Sequence, residues 1–490
     1  MQFPFNNTYV NLPEVFHKKV LPAKVPDPKL IILNQNLSEY LGFKIKDSDI
    51  ESFIGFLSGN NIPNGAEPIA MAYGGHQFGH WVPQLGDGRA LLLGEIISKN
   101  GLRYDLQLKG SGPTPFSRSG DGKAVLGPVL REYLLSESMH ALGIPSTRAL
   151  SAVSTGEMIM RDIKYPGAIL FRVSKSHVRI GTFEYFSSRD DFNNVRILAD
   201  YVINRHYPEA LNYKNPYKKF LFLVAQAQAL MVSKWMLFGF IHGVMNTDNM
   251  QIVGETIDFG PCAFLDTYNP NKVFSSIDSK GRYSYGNQPI IAQWNIACLA
   301  QAILPLIDKE KDSAYQQAKE IIDIFPSLYQ STLNSGFLQK IGLSNEMDGD
   351  IQLMKDLLSF MADGKADFTL TFRKLCEVSF ENSNQDSALR SLFDKPEIFD
   401  KWIERWRNRL LKETTKLDDI KKKMKKINPA FIPRNHLVEE AINKALIEDF
   451  TAFHNLITIC TEPFKSQPDF DDHMKPPNPH EEVKQTFCGT

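Results

Sequence analysis

The chain has 490 residues, with 55 Lys+Arg against 56 Asp+Glu and a formal net charge of −1. That balance argues against a nucleic-acid coat or a polyanionic chain, and 43% hydrophobic with 23% charged residues is an ordinary globular composition. At roughly 150 residues per domain, the length predicts about three domains or one large two-lobed unit, with a core large enough to need no disulfide staples. Cys262, Cys298, Cys376, Cys460 and Cys488 form no CxxC pair, which points to a reducing compartment. Met1 to Asn7 lacks the basic start and apolar run of a signal peptide, so the expectation is a soluble, cytoplasmic protein.

Residues 1–70 are Asn- and Pro-rich with short apolar runs, and read as an irregular wrapping segment carrying a helix or two. From Met71 glycines gather, at 74, 75, 79, 86 and 88. The run Ala90 to Ile97 and the alternating stretch Leu102 to Leu108 predict two adjacent antiparallel strands behind a glycine turn at Gly86–Arg89. Leu126 to Leu142 carries apolar residues at helical spacing and stops at Gly143. Ala168 to Val173 and Val178 to Phe186 read as further strands. Beyond Asp190 the pattern is mainly helical; the apolar stretch Leu221 to Ile241 contains Gln226, Gln228, Ser233 and Lys234, and reads as a buried helix rather than a membrane span. Lys421 to Lys426 reads as a solvated helix face, and Trp402 and Trp406 as packing residues four apart. Pro476 to Pro479 marks a flexible C-terminal extension. Strands early and helices late predict an α+β protein with a sheet-bearing first lobe and a mainly helical second lobe.

The chemistry concentrates in His242-Gly-Val-Met-Asn-Thr-Asp-Asn249 followed by Asp258-Phe-Gly260. Kinase-like phosphotransferases carry His-Arg-Asp-x-x-x-x-Asn and then Asp-Phe-Gly, with the same seven-residue step from His to Asn. Asn249 and Asp258 then supply hard oxygen ligands for a divalent ion bridging nucleotide phosphates. The kinase base position holds Val244, which accepts no proton. Asp248, beside the metal-binding Asn, is the nearest carboxylate for that role, and a carboxylate capping local amides is its bland alternative. Lys109 ends a strand and Glu132 follows on the next helix, the order in which a phosphate-reaching lysine is oriented by a carboxylate. Gly86 and Gly88 permit close backbone approach to phosphate and Arg89 adds charge, although a plain tight hairpin explains that turn equally well. Arg172 and Arg179 raise the cation count above what one transferred phosphoryl group requires, and suit a departing pyrophosphate.

Met71-Ala-Tyr-Gly-Gly-His-Gln-Phe-Gly79, Gln107 to Arg118, Asp121-Gly-Lys-Ala-Val125 and His242 to Met250 together resemble the selenoprotein O family, over most of the chain. The resemblance implies a protein-kinase-like two-lobed fold and a pseudokinase that works as a protein adenylyltransferase. ATP, with UTP as the alternative, binds flipped relative to kinases. AMP or UMP passes to Ser, Thr or Tyr hydroxyls of other proteins with release of pyrophosphate, in the presence of Mg2+ or Mn2+. It implies nucleotide contacts at Gly86, Gly88, Arg89, Lys109, Asp121, Gly122, Arg172, Arg179 and Asp258. The base falls on Asp248, the metal ligands on Asn249 and Asp258, and the lysine-orienting residue on Glu132. It further implies redox control through the third residue from the end, Cys488; Val273 to Asp278 holds no cysteine to pair with it, and Cys262 is nearby in sequence. The rival readings are a kinase-like phosphotransferase, an inactive ATP-binding regulatory module and a thiol-redox role centred on Cys488. The expected division is a wrapping segment 1–70, a nucleotide-binding first lobe 71–188, a helical second lobe 189–465 and a flexible tail 466–490. Protein acceptors are the expected partners, with no nucleic acid, no membrane and no need for more than a monomer.

Overall fold

The computed structural model describes residues 3–43, 49–379 and 386–487. Its first 175 residues build an antiparallel sheet. The strands are β1 (His17–Lys19), β2 (Lys29–Leu33), β3 (Ile69–Met71), β4 (Gly75–Gln77), β5 (His80–Val82), β6 (Ala90–Ile97), β7 (Arg103–Lys109), β8 (Ala124–Val125), β9 (Arg148–Met160) and β10 (Lys164–Ser174). The main sheet runs β1-β3-β6-β7-β10-β9-β2, with β8 on β10; β4 and β5 form a separate hairpin. The adjacent β6–β7 pair is as expected, with Ala90 opposite Lys109 and Ile97 opposite Arg103.

The stretch 1–70 carries the helix or two expected of it, α1 (Gln35–Leu41) and α2 (Ile50–Leu57), but is less irregular than expected. It supplies both ends of the sheet, β1 and β2, together with β3. These strands are only three to five residues long, and pairing with the longer strands holds them where their own pattern is too brief to register. Between them, α1 and α2 pack Leu37, Leu41, Phe53 and Phe56 against Leu106, Leu108, Ile169 and Phe171 of the sheet. The opposite face is covered by α3 (Leu126–Ala141), whose Val129, Leu130 and Tyr133 meet Ala168 and Leu170. Helices Asn435–Ala445 and Thr451–Cys460 close over α3 from outside.

Val178 to Phe186, read as a strand, is instead largely helical: α4 spans Ile180–Ser187. Its buried Ile180, Phe183 and Phe186 recur every three residues, a helical rather than a period-two spacing. The helical remainder begins with α5 (Phe192–His206), α6 (Pro216–Phe238), α7 (Gln288–Ile307) and α8 (Lys311–Lys340). Residues 216–238 and 285–307 are each long and apolar enough to cross a membrane by length and composition. In this fold their apolar faces join one core with α8, through Val224, Trp235, Ile296, Ile303 and Phe325.

The C-terminal extension is anchored rather than loose. The Thr486 amide donates to the Phe274 carbonyl at 2.8 Å, the Ser276 amide to the Thr486 carbonyl at 3.0 Å, and the Thr486 hydroxyl to the Pro261 carbonyl at 2.5 Å. Cys488 lies outside the described residues; Cys262, Cys298, Cys376 and Cys460 are free thiols.

Trp402 and Trp406, on the helix Pro396–Leu410, stack with ring centroids 6.0 Å apart and planes at 16°. Each indole N–H reaches a buried carbonyl, Leu353 and Ile341 respectively, at 2.8 Å. Truncation of Trp406 leaves both a cavity and an unpaired carbonyl. Trp406→Ala is therefore expected to lower unfolding stability by about 3–5 kcal/mol, read from urea denaturation; a loss under about 1 kcal/mol contradicts this packing.

Candidate active site

The pleat of two neighbouring strands assembles the site. In β7, Leu106 and Leu108 point to the α1–α2 side, so Gln107 and Lys109 point to the α3 side. In β10, Ile169, Phe171 and Val173 take the α1–α2 side, which sends Arg172 the same way as Lys109. The register sets Arg172 opposite Gln107 and Leu170 opposite Lys109, so both cations face Glu132 on α3. Lys109 Nζ donates to Glu132 Oε2 at 2.6 Å, and Arg172 pairs with Glu132 Oε1 and with Gln107 Oε1.

Asp258 enters this cluster from the helical part of the chain. Its Oδ1 accepts from Lys109 Nζ and from Arg172 Nη2, each at 2.8 Å, and its Oδ2 from Arg179 Nη1 at 2.9 Å. Burial works to raise the carboxyl's pKa, but Lys109, Arg172 and Arg179 hold it well below the ordinary carboxylate range. Asp258 has φ +64°, a left-handed conformation costing a non-glycine residue on the order of 1 kcal/mol. The preceding residue is fixed by His242, whose Nε2 donates to the Ile257 carbonyl at 2.9 Å while Nδ1 accepts from the Val244 amide at 3.3 Å. Burial lowers this imidazole's pKa to about 4, so it is neutral at pH 7 and serves as a structural link.

Asp248 lies on the short turn Thr247–Asn249. Arg179 donates to its backbone carbonyl at 2.5 Å, and Gln77 Nε2 to its Oδ2 at 3.2 Å. Its Oδ1 is buried without a hydrogen-bond partner. Burial pushes its pKa up to about 6, against the lowering pull of Arg179 and Gln77. Asn249 commits Nδ2 to the Val244 carbonyl at 2.9 Å, which leaves its amide oxygen as the side chain's remaining donor to a cation. Amide and carboxylate oxygens from Asn249 and Asp258 are the hard ligands that Mg2+ or Mn2+ takes, so this donor set fits a divalent ion.

Gly86, Gly88, Arg89, Lys109, Asp121, Gly122, Glu132, Arg172, Arg179, Asp248, Asn249 and Asp258 all line one cleft of about 490 Å3, a small-ligand volume. The glycines have a packing reason besides the close phosphate approach and the tight hairpin inferred from sequence. A Cβ on Gly86 (φ +75°) would stand 2.4 Å from the Phe116 ring, and one on Gly88 2.9 Å from the Phe116 carbonyl. The 114–117 loop therefore requires both glycines before any ligand does. Asp121 sits at the rim with its carboxylate bound by Arg161 at 2.8 and 3.1 Å, and the Arg161 hydrogen bonds lower its pKa.

Several contributors escaped the sequence reading. Tyr73 lies under the Arg179 guanidinium, 4.6 Å from ring centroid to Cζ, and buried Asp87 is 3.9 Å from the same arginine. Arg131, one residue before Glu132, donates to the Gly260 and Cys262 carbonyls at 3.1 and 2.6 Å and to Asn435 at 2.7 Å, tying α3 to the segment after Asp258. The β4–β5 hairpin covers the turn that carries Asp248: the His76 amide donates to Thr247 Oγ1 at 2.7 Å and the Phe78 amide to Asn246 Oδ1 at 3.0 Å. Only the glycine-flanked, His- and aromatic-rich character of 71–82 hinted at these contacts, and it carries no spacing that names a partner.

The family model described as protein adenylyltransferase SelO matches residues 1–461 of this chain. Among similar proteins, the protein nucleotidyltransferase YdiU of Bradyrhizobium sp. (strain ORS 278) is 51% identical over 491 aligned residues, covering 100% of both chains. The proteins of the same name from Nitrobacter hamburgensis and Agrobacterium fabrum are each 52% identical, over 99% of this chain and 96% and 99% of their own.

The raised Asp248 pKa has a signed consequence. The folded state holds this proton more tightly than the unfolded state, so the associated stability is complete below the ordinary aspartate value of 3.8 and lost as pH rises through about 6. Asn carries no such charge. Without nucleotide or added metal, Asp248→Asn should match the wild type near pH 4 and exceed it above pH 6, by up to about 3 kcal/mol at 1.36 kcal/mol per unit. Urea titrations at both ends of that range read the difference; an unchanging difference contradicts a buried, desolvated carboxylate.

Proposed function

The chain belongs to the SelO family of protein adenylyltransferases and is a protein nucleotidyltransferase; on that premise we propose that it transfers AMP from ATP, with UMP from UTP as an alternative donor, to Ser, Thr or Tyr hydroxyls of other proteins. The observation that carries this reading is the pairing of a valine at the kinase base position with an aspartate, four residues on, whose Oδ1 has no hydrogen-bond partner.

The triphosphate enters the cleft against Lys109, Arg172 and Arg179, with Arg89 and the Gly86–Gly88 backbone beside it. In the unliganded site these three cations are held by Asp258 and Glu132. Phosphate oxygens offer them an alternative partner, which frees Asp258 to act with Asn249 as a ligand. A divalent ion bound there supplies charge neutralisation across the phosphates. Gln77 holds one oxygen of Asp248, leaving the other to take the acceptor hydroxyl's proton as the oxygen attacks the α-phosphorus. With a pKa of about 6, that carboxylate is largely ionised at neutral pH yet more basic than an ordinary aspartate. The P–O bond to pyrophosphate breaks, and Lys109, Arg172 and Arg179 offset the charge that leaves. Glu132 keeps Lys109 and Arg172 in place through both stages. In this reading the part 71–188 binds the nucleotide, supplying Lys109, Arg172 and Arg179, and the helical part 189–465 supplies Asp248, Asn249 and Asp258. The reaction needs one copy of the chain, and a soluble, cytoplasmic setting supplies both ATP and acceptors.

Parallel assays with α- and γ-labelled ATP, in Mg2+ or Mn2+, test this reading. Label should enter protein from the α position only. Asp258→Ala should abolish transfer, and Asp248→Ala should reduce turnover by about 10²-fold or more while nucleotide binding survives. Label from the γ position would reinstate a phosphotransferase, and full activity in Asp258→Ala would remove that residue from the ligand set.

A further inference from the structure

A second group of metal-ligating side chains lies behind the base, apart from the cleft. His76 on β4, Glu184 on α4 and Cys298 on α7 present ligand atoms within 4.8 Å of one another, and none of the three lines the nucleotide cleft. His76 Nδ1 and Glu184 Oε1 are 2.6 Å apart. Glu184 is only 6% exposed, and its Oε2 is buried with no hydrogen-bond partner. A buried carboxylate is costly unless donors reach it; besides the imidazole, the Thr247 hydroxyl and the Cys298 thiol are the donors beside this one, outside the geometry of a full hydrogen bond to Oε2. The Trp81 and Trp294 rings flank the imidazole at 5.1 and 5.4 Å.

We propose that His76, Glu184 and Cys298 form a metal site of the zinc class, which fastens the β4–β5 hairpin to α4 and α7. One nitrogen, one carboxylate oxygen and one sulfur suit a borderline ion such as Zn2+, whereas Mg2+ favours oxygen ligands alone. Tetrahedral zinc holds such atoms roughly 3.3–3.6 Å apart. The hydrogen-bonded His76 Nδ1 and Glu184 Oε1, 2.6 Å apart, must therefore part by about 0.7 Å as the ion replaces their shared hydrogen bond. A pair at the 4.8 Å limit must close by about 1 Å, which leaves a fourth position for water. Binding expels the thiol proton and any proton on the carboxyl–imidazole pair. Burial keeps both the Cys298 thiol and the Glu184 carboxyl above their ordinary pKa, and the ion supplies the positive charge that their ionised forms lack. Arg282, over the Trp294 ring at 4.8 Å, is the cation facing the group; the thiolate and carboxylate offset the ion's own charge against it.

The consequence for the active site follows from the neighbours. Gly75 packs on Asp248, since a Cβ there would stand 3.1 Å from Oδ1, and Gln77 donates to Oδ2. An ion on His76 fixes the residue between them. This link to the base rests on the function proposed above, whereas the metal site itself does not.

The test is Co2+ chloride titrated into the chelator-treated full chain with Mg2+ in excess. One equivalent should bind and give a thiolate-to-cobalt charge-transfer band in the near ultraviolet, displaceable by Zn2+. Cys298→Ser, checked for an unchanged circular dichroism spectrum, should lose the band, and His76→Ala should weaken binding at least about tenfold. Zn2+ should raise the melting temperature of the wild type but not of Cys298→Ser. Asp258→Asn should keep the band, which separates this site from the nucleotide's metal. No band, a band that survives Cys298→Ser, or one lost in Asp258→Asn overturns the proposal.

Discussion

The carboxylate of Asp258 is the point on which the site's geometry depends. One oxygen is shared by Lys109 and Arg172, the other is held by Arg179, and the residue takes a left-handed backbone to reach them. Three cations this close repel one another unless anions stand between them, and Asp258 with Glu132 supplies that charge. Strand β7, strand β10, helix α3 and the loop after Ile257 are thus held in mutual position by one buried ionic cluster. The same arrangement gathers three cations at the wall of the cleft in advance of any ligand.

The second constraint is the hairpin β4–β5, which lies against the turn carrying Asp248 and Asn249. Its backbone amides bind Thr247 and Asn246, and Gln77 reaches the carboxylate itself. Desolvation by this cover is what moves Asp248 toward neutrality. Burial pushes both aspartates the same way, and the neighbouring charge decides the outcome: Asp248, with one partly compensating cation, is raised, while at Asp258 three cations outweigh burial and the carboxylate stays ionised. Two aspartates ten residues apart thus acquire opposite pKa shifts from their neighbours.

The tail joins the same region from the far end of the chain. Thr486 bonds to Pro261 and Phe274, so residues after Asp258 are gripped by Arg131 on one side and by the C-terminal segment on the other. The segment that shapes the cleft floor is therefore fixed by parts of the chain more than a hundred residues away on either side.

Local pattern was enough for the long elements. The period-two run at 102–108, the helical spacing at 126–142 and the order His242, Asn249, Asp258 made legible the strand lysine, the helix glutamate and the Asn249–Asp258 pair that meet in the cleft, because chemistry tied to a repeat or a fixed spacing is written along the chain. The short strands β1, β2 and β3 were not legible, since three to five residues give no period to read and their conformation comes from sheet partners. Nor was the helix at 180–187, whose apolar residues fit two periods until Phe183 and Phe186 turned to one core. The sequence by itself determined the fold class and which side chains would gather around one cleft. Only the tertiary structure decided that Gly86 and Gly88 yield to Phe116, that Tyr73, Asp87 and Arg131 belong to the site, and that Asp248 is the desolvated carboxylate. Those outcomes depend on distances between residues remote in sequence, and on the dielectric that their packing creates.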